Sequence, residues 1–177
     1  ITVTSFPLQH RVPAFGFLFR EKTSERNIIK EKIEEYHIPT VRIPAIKKGG
    51  DYLTPDGIII KNEDITIPPP DPLSYAYCSD TKYFKRLASF VKGVSLLYHE
   101  ATFDKSLVDL ATVTGHSTTL DAAKVALEAN AGSLVIGHFS ARYKNISFLV
   151  EEARTLFPAT FPAIDGKSFD VGNITDQ

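Results

Sequence analysis

The chain has 177 residues, which is enough for one ordinary domain with a sizeable core. Hydrophobic residues make up 43% of the sequence and charged residues 23%, a globular composition that excludes an extended disordered chain. The formal net charge of −1 argues against a broad basic binding face, so any contact with a nucleic acid has to depend on local clusters of lysine and arginine.

The cysteine content and the hydropathy restrict where the protein works. Cys78 is the only cysteine, which excludes an intrachain disulfide and a thiolate zinc knuckle and predicts a reducing, cytoplasmic compartment. No apolar run approaches the roughly 20 residues of a membrane span, so no membrane association is expected. The sequence contains no methionine and starts directly in a β-type run, and these features predict that an N-terminal part is missing.

The first twenty residues predict two strands. Residues 1–6 carry β-branched and aromatic residues at period two, and Pro7 is expected to end this strand. Residues 13–19 have the same character, and His10 lies on the connection between the two strands.

Residues 20–72 predict an insertion rather than part of the core. Residues 24–36 place apolar side chains on one stripe and charged side chains on the other, as in an amphipathic helix. A hairpin is expected around Pro55-Asp56-Gly57. Residues 68–72 are four prolines and one aspartate, which predicts a stiff extended spacer.

From residue 73 onward, predicted strands alternate with predicted helices. This order is typical of a layered α/β domain. Strands are expected at residues 73–77, 94–98 and 134–137, where short apolar runs occur. Helices are expected at residues 83–91, from a capping box at Thr118 to Gly132, and at residues 146–156.

Polar side chains gather at the predicted strand ends and helix starts. Asp80 and His138 follow strands, His99-Glu100 follows another, and His116 precedes a helix. Such positions share one edge of a layered α/β sheet, where binding sites form. Imidazole nitrogens with carboxylate oxygens, without thiolate, suit zinc or manganese. A single histidine on a loop is more often an ordinary surface or core residue, so spacing alone leaves both interpretations open and names no substrate.

Five short strings occur in a fixed order along the chain. They are Pro7 to His10 with Val12 to Gly16, Ser79 to Thr81, His99 to Thr102, Gly115 to Thr118, and His138 to Tyr143. Together they resemble the second half of ribonuclease Z, the tRNA 3′-processing endoribonuclease of the metallo-β-lactamase superfamily. The resemblance implies half of a metallo-β-lactamase αβ/βα sandwich over residues 1–177, one mixed sheet with outer helices, and residues 20–72 as an inserted flexible arm that binds tRNA.

The resemblance also implies a role for individual side chains. His10 resembles a ligand of the first metal ion, Asp80 resembles the carboxylate that bridges two ions, and His138 resembles a ligand of the second. His116 and Glu100 resemble the family's catalytic pair, in which the acid orients an imidazole that stabilises the scissile phosphate and protonates the leaving oxygen. The complete site of the family holds two Zn²⁺ ions.

Further side chains resemble the residues with which the family binds RNA. Near the site these are Arg142, Ser140 and Thr81. A guanidinium suits a phosphate by its bidentate geometry. The basic end of the arm's glycine-rich motif is matched by Lys47, Lys48 and Gly49. Lysines on such a loop attract phosphates independently of sequence, whereas the alternative interpretation is a solvated pair of charges.

The sequence departs from the family pattern at three points. Ser79 replaces a usual glycine, and residues 40–44 lack a usual Gly-Pro pair, which affects the geometry of the arm. The His-x-His-x-Asp-His box, which belongs to the N-terminal half and supplies most other ligands, is absent. We therefore expect this chain alone to be inactive and to hold zinc weakly or not at all. Half a sandwich also leaves a sheet face uncovered, which predicts a homodimer or pairing with the missing N-terminal half.

The resemblance implies that the parent enzyme removes the 3′ trailer of precursor tRNA by attack of metal-activated water on a phosphodiester. This chain would then be a fragment of that endoribonuclease. One alternative is another hydrolase of the superfamily that acts on a small ester or phosphodiester. The second alternative is a non-catalytic RNA-binding module that uses the arm only.

Overall fold

The computed structural model describes residues 1–174. The chain divides into two compact units. The larger unit comprises Ile1–Glu21 and the residues from Leu73 onward, and the smaller unit comprises Lys22–Pro72. Within residues 1–174, no helix combines the length and the hydropathy that a membrane crossing requires.

The larger unit starts with the two strands that the sequence predicts. Strand β1 (Thr2–Leu8) pairs antiparallel with β2 (Ala14–Arg20). The expected end at Pro7 is wrong, because this residue lies inside β1, opposite Phe15. Proline lacks the amide proton of a strand ladder, and it is tolerated here because β1 is the edge strand of the sheet.

The smaller unit contains only short elements. In chain order they are β3 (Asn27–Ile28), α1 (Lys30–Glu35), α2 (Ile43–Lys47), β4 (Tyr52–Leu53), β5 (Ile59–Ile60), α3 (Asn62–Ile65) and β6 (Thr66–Ile67). Strand β3 pairs antiparallel with β6, and β4 pairs antiparallel with β5. The hairpin predicted around Pro55-Asp56-Gly57 is therefore confirmed. The helix predicted for residues 24–36 is wrong in its first half, because Asn27–Ile28 pairs with β6 as a strand and the helix begins at Lys30.

The smaller unit has a core of its own. Asn62 at the start of α3 is buried, and its side-chain amide donates to the carbonyl oxygens of Ile46 (2.7 Å) and Gly50 (2.8 Å). These bonds satisfy the buried amide and tie α3 to the end of α2. The buried apolar residues of this core are Ile38, Ile46, Tyr52 and Ile65.

The rest of the larger unit alternates strands and helices, as predicted. Its elements are β7 (Ser74–Cys78), α4 (Leu87–Phe90), β8 (Leu96–Glu100), α5 (Val108–Thr114), α6 (Thr119–Ala129), β9 (Ser133–Gly137), α7 (Ser147–Arg154) and β10 (Thr160–Pro162). The sheet has the order β1-β2-β7-β8-β9-β10. Neighbours from β7 to β10 are parallel, whereas β1 with β2 and β2 with β7 are antiparallel. This mixed sheet with outer helices is the expected half of a sandwich.

Helix α6 begins as predicted and ends earlier. The Thr118 hydroxyl accepts from the Asp121 N–H at 3.2 Å, and the Asp121 carboxylate accepts from the Thr118 N–H at 3.0 Å, which completes the predicted capping box. The predicted end at Gly132 is wrong. The helix is capped by Asn130 with a φ of 51°, a left-handed conformation that asparagine tolerates.

Other boundaries also differ from prediction. Strand β8 continues through Glu100, which pairs with Gly137 of β9, so His99 and Glu100 lie within the strand and not after it. Helix α4 is much shorter than the predicted residues 83–91. Strand β10 was not predicted, because it has only three residues and ends in Pro162.

The main core lies between one face of the sheet and helices α4, α6 and α7. Ala76, Leu97 and Leu134 lie side by side on β7, β8 and β9, and all three are completely buried. The opposite face carries a cross-strand row of Phe17, Tyr77, Tyr98 and Val135. Phe17 and Tyr77 are 39% and 38% exposed, so the described residues leave this aromatic face partly open.

Candidate active site

Parallel strands bring three polar side chains to one edge of the sheet. Asp80 follows β7, Glu100 is the last residue of β8, and His138 comes directly after β9. Asp80 and His138 have φ angles of 51° and 60°. This left-handed conformation is uncommon for residues other than glycine and clusters at functional sites. The chain therefore turns sharply after both strands, with these side chains at the sheet edge.

The end of helix α5 positions His116. Gly115 caps this helix with a φ of 81°, and its carbonyl oxygen is 2.9 Å from Nδ1 of His10 on the β1–β2 connection. A carbonyl oxygen can only accept, so Nδ1 of His10 donates, and Nε2 of the neutral ring keeps a free lone pair. A Cβ at position 115 would meet Nδ1 of His10 at 2.9 Å, so glycine is required here for space as well as for conformation.

Asp80, His116 and His138 form the group that could share one metal ion. One ligand atom from each residue lies within 4.8 Å of the other two. Nε2 of His138 is 3.3 Å from Oδ1 of Asp80, and the rings of His116 and His138 stack with centroids 5.3 Å apart. His10 lies outside this group, with its ring centroid 4.9 Å from that of His116. The structure thus combines two predicted ligands with the predicted catalytic histidine, and it places the third predicted ligand, His10, beside that histidine.

The donor atoms of this group fit a divalent cation. Oδ1 of Asp80 is buried and receives no hydrogen bond, although Nε2 of His138 is 3.3 Å away. That contact is an ion pair only if the imidazole is charged, and it does not have the geometry of a hydrogen bond. Buried polar atoms are rarely left unsatisfied, which indicates a ligand of another kind. Two imidazoles and a carboxylate, without thiolate, match the ligand preferences of zinc and manganese.

Glu100 is the centre of the hydrogen-bond network next to this group. Its side chain is completely buried, and four donors surround its two oxygens. Oε1 accepts from the Thr81 N–H (2.7 Å) and from Nδ1 of His116 (2.8 Å). Oε2 accepts from the Thr102 hydroxyl (2.6 Å) and from the Ser117 N–H (3.1 Å). The carboxylate therefore holds one nitrogen of the His116 ring, as expected for an acid that orients an imidazole.

Arg142 and Ser140 lie beside the group, and the arginine is exposed. Nε of Arg142 donates to the Ser140 hydroxyl at 3.1 Å, and the guanidinium carbon lies 5.0 Å from the centre of the Phe103 ring. The Phe103 ring in turn meets the His116 ring edge-on, with centroids 6.4 Å apart. The Phe103 ring therefore lies between the exposed guanidinium of Arg142 and the ring of His116.

Thr81 is not at the surface, in contrast to the phosphate contact that the resemblance implies. Its side chain is completely buried, and its hydroxyl accepts from the Gln9 N–H (3.1 Å) and donates to the Lys82 carbonyl (3.0 Å). Its N–H donates to Glu100, and its carbonyl accepts from the Ser117 hydroxyl at 2.6 Å. Thr81 therefore supports Glu100 and the β1–β2 connection, and its hydroxyl is not available to a phosphate in this structure.

Thr102 and Ser117 belong to the site, although the sequence alone gave them no role. Both donate to Oε2 of Glu100, and the Thr102 hydroxyl is also 2.9 Å from Nδ1 of His138. Both residues occur inside the strings that carry the family resemblance, and this is the signal by which they could have been found.

His99 belongs to the core and not to the site. It is completely buried, its Nδ1 donates to the Glu100 carbonyl at 2.6 Å, and its Nε2 has no hydrogen-bond partner among the described residues. Burial lowers the pKa of His99 below its ordinary value, which favours the neutral imidazole. Cys78, opposite His99 on β7, is buried too, and burial raises the pKa of its thiol to about 12.

In the smaller unit, the predicted RNA-binding residues Lys47, Lys48 and Gly49 lie at the end of helix α2. Nζ of Lys47 is 3.6 Å from the carboxylate of Glu25. Lys48 is exposed and forms no ion pair within residues 1–174. Gly49 turns the chain with a φ of 98° and is exposed as well. Lys48 is therefore the lysine of this pair whose charge is not already offset by a nearby carboxylate.

No family model matches the chain. Among curated proteins, ribonuclease Z of Bacteroides fragilis is 47% identical over 163 residues, which are 92% of this chain and 54% of that protein. Ribonuclease Z of Porphyromonas gingivalis is 45% identical over 171 residues, which are 97% of this chain and 56% of that protein. The chain thus spans about half the length of the curated relatives it matches.

Solved structures similar to the chain have the metallo-β-lactamase fold. The metallo-β-lactamase fold protein YhfI from Bacillus subtilis has a TM-score of 0.56 at 19% identity, over 90% of this chain and 45% of that one. The short form of human tRNase Z has a TM-score of 0.54 at 21% identity, over 96% of this chain and 42% of that one. At these identities the structural likeness establishes the fold alone, whereas the sequence relatives establish the family. The chain belongs to the ribonuclease Z family.

Proposed function

We propose that this chain is part of an endoribonuclease that removes the 3′ trailer of precursor tRNA. The observation that carries the proposal is the group of Asp80, His116 and His138, in which His116 is also bonded to the buried Glu100. The relatives named ribonuclease Z support nuclease chemistry. Because the chain spans about half of their length, the activity is proposed for a protein of their length, and this chain alone is proposed to be inactive.

Zinc is the metal that we propose for the site, with His10, Asp80 and His138 as ligands. His116 remains the proposed catalytic histidine, because Glu100 occupies its Nδ1 and only Nε2 is free to act. Zinc ions bound here would supply positive charge to the phosphodiester and an activated water. Three ligands are too few to hold two ions, so we expect zinc to bind this chain weakly or not at all.

Proton transfer is assigned to His116 and Glu100. The bond of 2.8 Å from Nδ1 to the carboxylate fixes the ring and its tautomer, so Nε2 is the atom that can carry a proton to the leaving oxygen. Glu100 supplies a counter-charge to the imidazolium that forms when His116 takes up a proton. Backbone donors from Thr81 and Ser117 hold the carboxylate in place during this transfer.

RNA contacts are assigned to both units. Arg142, held over Phe103 and bonded to Ser140, is the proposed phosphate ligand next to the reacting group. Residues 20–72 are the proposed tRNA-binding arm, with Lys48 as the lysine most available to phosphates. Contacts of this kind are independent of base sequence and weaken as salt increases.

We further propose that a partner covers the aromatic face of the sheet in the functional protein. A second copy of the chain, in a homodimer, and an N-terminal half with the missing histidine box are the two candidates. The exposed Phe17 and Tyr77 support this proposal, because soluble monomers rarely expose extended apolar patches. The single buried cysteine supports a cytoplasmic location.

The test is cleavage of a precursor tRNA with a 3′ trailer by a protein of the relatives' length. We expect release of the trailer, a loss of about 10²- to 10⁴-fold in rate in His116→Ala, and little change in Thr155→Ala, at an exposed threonine at the end of helix α7. Turnover of bis(p-nitrophenyl) phosphate without cleavage of the precursor would contradict the proposal and support a small-ester hydrolase. RNA binding that needs Lys48 and not Asp80, without cleavage, would support the binding module.

A further inference from the structure

The Thr102 hydroxyl lies between the two halves of the candidate site. Its Oγ1 is 2.6 Å from Oε2 of Glu100 and 2.9 Å from Nδ1 of His138. Thr102 is only 7% exposed, so water does not compete freely for either bond. It follows β8 by two residues, and its carbonyl accepts from the Ser140 N–H at 3.1 Å, which fixes its backbone.

The direction of the two bonds follows from the donors around Glu100. Two of them, the Thr81 and Ser117 N–H groups, are backbone amides that can only donate. An ionised carboxylate offers about four acceptor sites and no proton, and four partners occupy them here. The single proton of the Thr102 hydroxyl therefore points to Oε2 of Glu100. Its oxygen can then only accept from His138, so the proton of the neutral His138 ring is on Nδ1.

We propose that Thr102 is a positioning residue that fixes the tautomer and the orientation of His138. With the proton on Nδ1, Nε2 keeps its lone pair for a metal ion that it would share with Oδ1 of Asp80, 3.3 Å away. The opposite tautomer would place a proton on Nε2 and block it as a ligand. The role of this tautomer in metal binding rests on the proposed function, whereas the position of the proton on His138 can be measured independently of that function.

The same carboxylate then orients both imidazoles of the group. Nδ1 of His116 donates to Glu100 directly, and Nδ1 of His138 donates to it through the Thr102 hydroxyl. The two rings lie nearly parallel, at 27°, as expected for rings held from one side. Both Nε2 atoms consequently remain available to the ion and the substrate.

The test is nuclear magnetic resonance of the chain labelled with ¹⁵N in histidine, without metal or RNA, at about pH 8, above the ordinary histidine pKa of about 6.5. We expect the proton of His138 on Nδ1 in the wild type and in Thr102→Ser, which keeps the hydroxyl. In Thr102→Val we expect the proton to move mainly to Nε2. Thr155→Val, at an exposed threonine of the same unit, should leave the His138 signals unchanged.

A proton on Nε2 of His138 in the wild-type chain would overturn the proposal, and this result does not depend on whether the valine variant folds. An unchanged tautomer in a folded Thr102→Val would overturn it as well. In a protein of the relatives' length, the valine variant should lose about 10- to 100-fold in zinc affinity and the serine variant should retain most of it. Failure to cleave precursor tRNA would remove the proposed function while leaving the tautomer assignment standing.

Discussion

The substitution Glu100→Gln tests the network around the site through its effect on stability. The carboxylate is completely buried and accepts from four donors. A glutamine amide accepts on one side only, and its NH₂ group would face a backbone N–H of Thr81 or of Ser117, whichever way it turns. The backbone N–H that faces the NH₂ group loses its acceptor, whereas the Thr102 hydroxyl or the His116 ring can instead accept from the amide, and a buried unsatisfied group costs about 1–3 kcal/mol. We therefore expect the free energy of unfolding to fall by at least about 1–3 kcal/mol.

The assay is equilibrium unfolding of the chain in urea. The matched control is Glu151→Gln, which removes the charge of an exposed glutamate bonded to Arg154 at 2.9 Å and should cost about 0–1 kcal/mol. Equal midpoints for the two variants would refute the view that Glu100 is an ionised acceptor of four hydrogen bonds.

Three further predictions concern the metal ligands, the cap of α5 and the core. Asp80→Asn should lower zinc affinity in a calorimetric titration of a protein of the relatives' length; unchanged affinity would exclude this carboxylate as a ligand. Gly115→Ala should cost more than about 1 kcal/mol in unfolding free energy and exceed Gly57→Ala, because both glycines have φ near 80° but only Gly115 would press its Cβ on His10. Burial raises the pKa of the Cys78 thiol to about 12, so iodoacetamide should alkylate the folded chain far more slowly than the unfolded chain at pH 8.5. Equal alkylation rates would contradict the burial. The stability that the protonated thiol contributes should be lost as the pH rises from about 9 towards 12.

Features of the fold with a local cause could be predicted from the sequence. The capping box of Thr118 and Asp121 and the hairpin at residues 55–57 depend on neighbours in the chain, and both are present. The length of β8 could not be predicted, because its last residues are held as a strand by pairing with β9. Helix α6 ends at Asn130, which adopts a left-handed conformation. Glycine adopts this conformation as readily, so the sequence does not show whether Asn130 or Gly132 ends the helix.

The residues of the site could be predicted better than their contacts. The ends of β7, β8 and β9 meet at one sheet edge, which explains why Asp80, Glu100 and His138 come together. No sequence pattern shows that the Thr81 hydroxyl is buried, or that the Thr102 hydroxyl bridges two side chains, since both facts depend on packing between distant segments.

Anomalous diffraction at the zinc edge, from crystals of a protein of the relatives' length grown with Zn²⁺, tests the central claim most directly. We predict a zinc peak about 2.0–2.2 Å from a carboxylate oxygen of Asp80 and from Nε2 of His138. Zinc bound elsewhere, with these two side chains turned away from each other, would contradict the account.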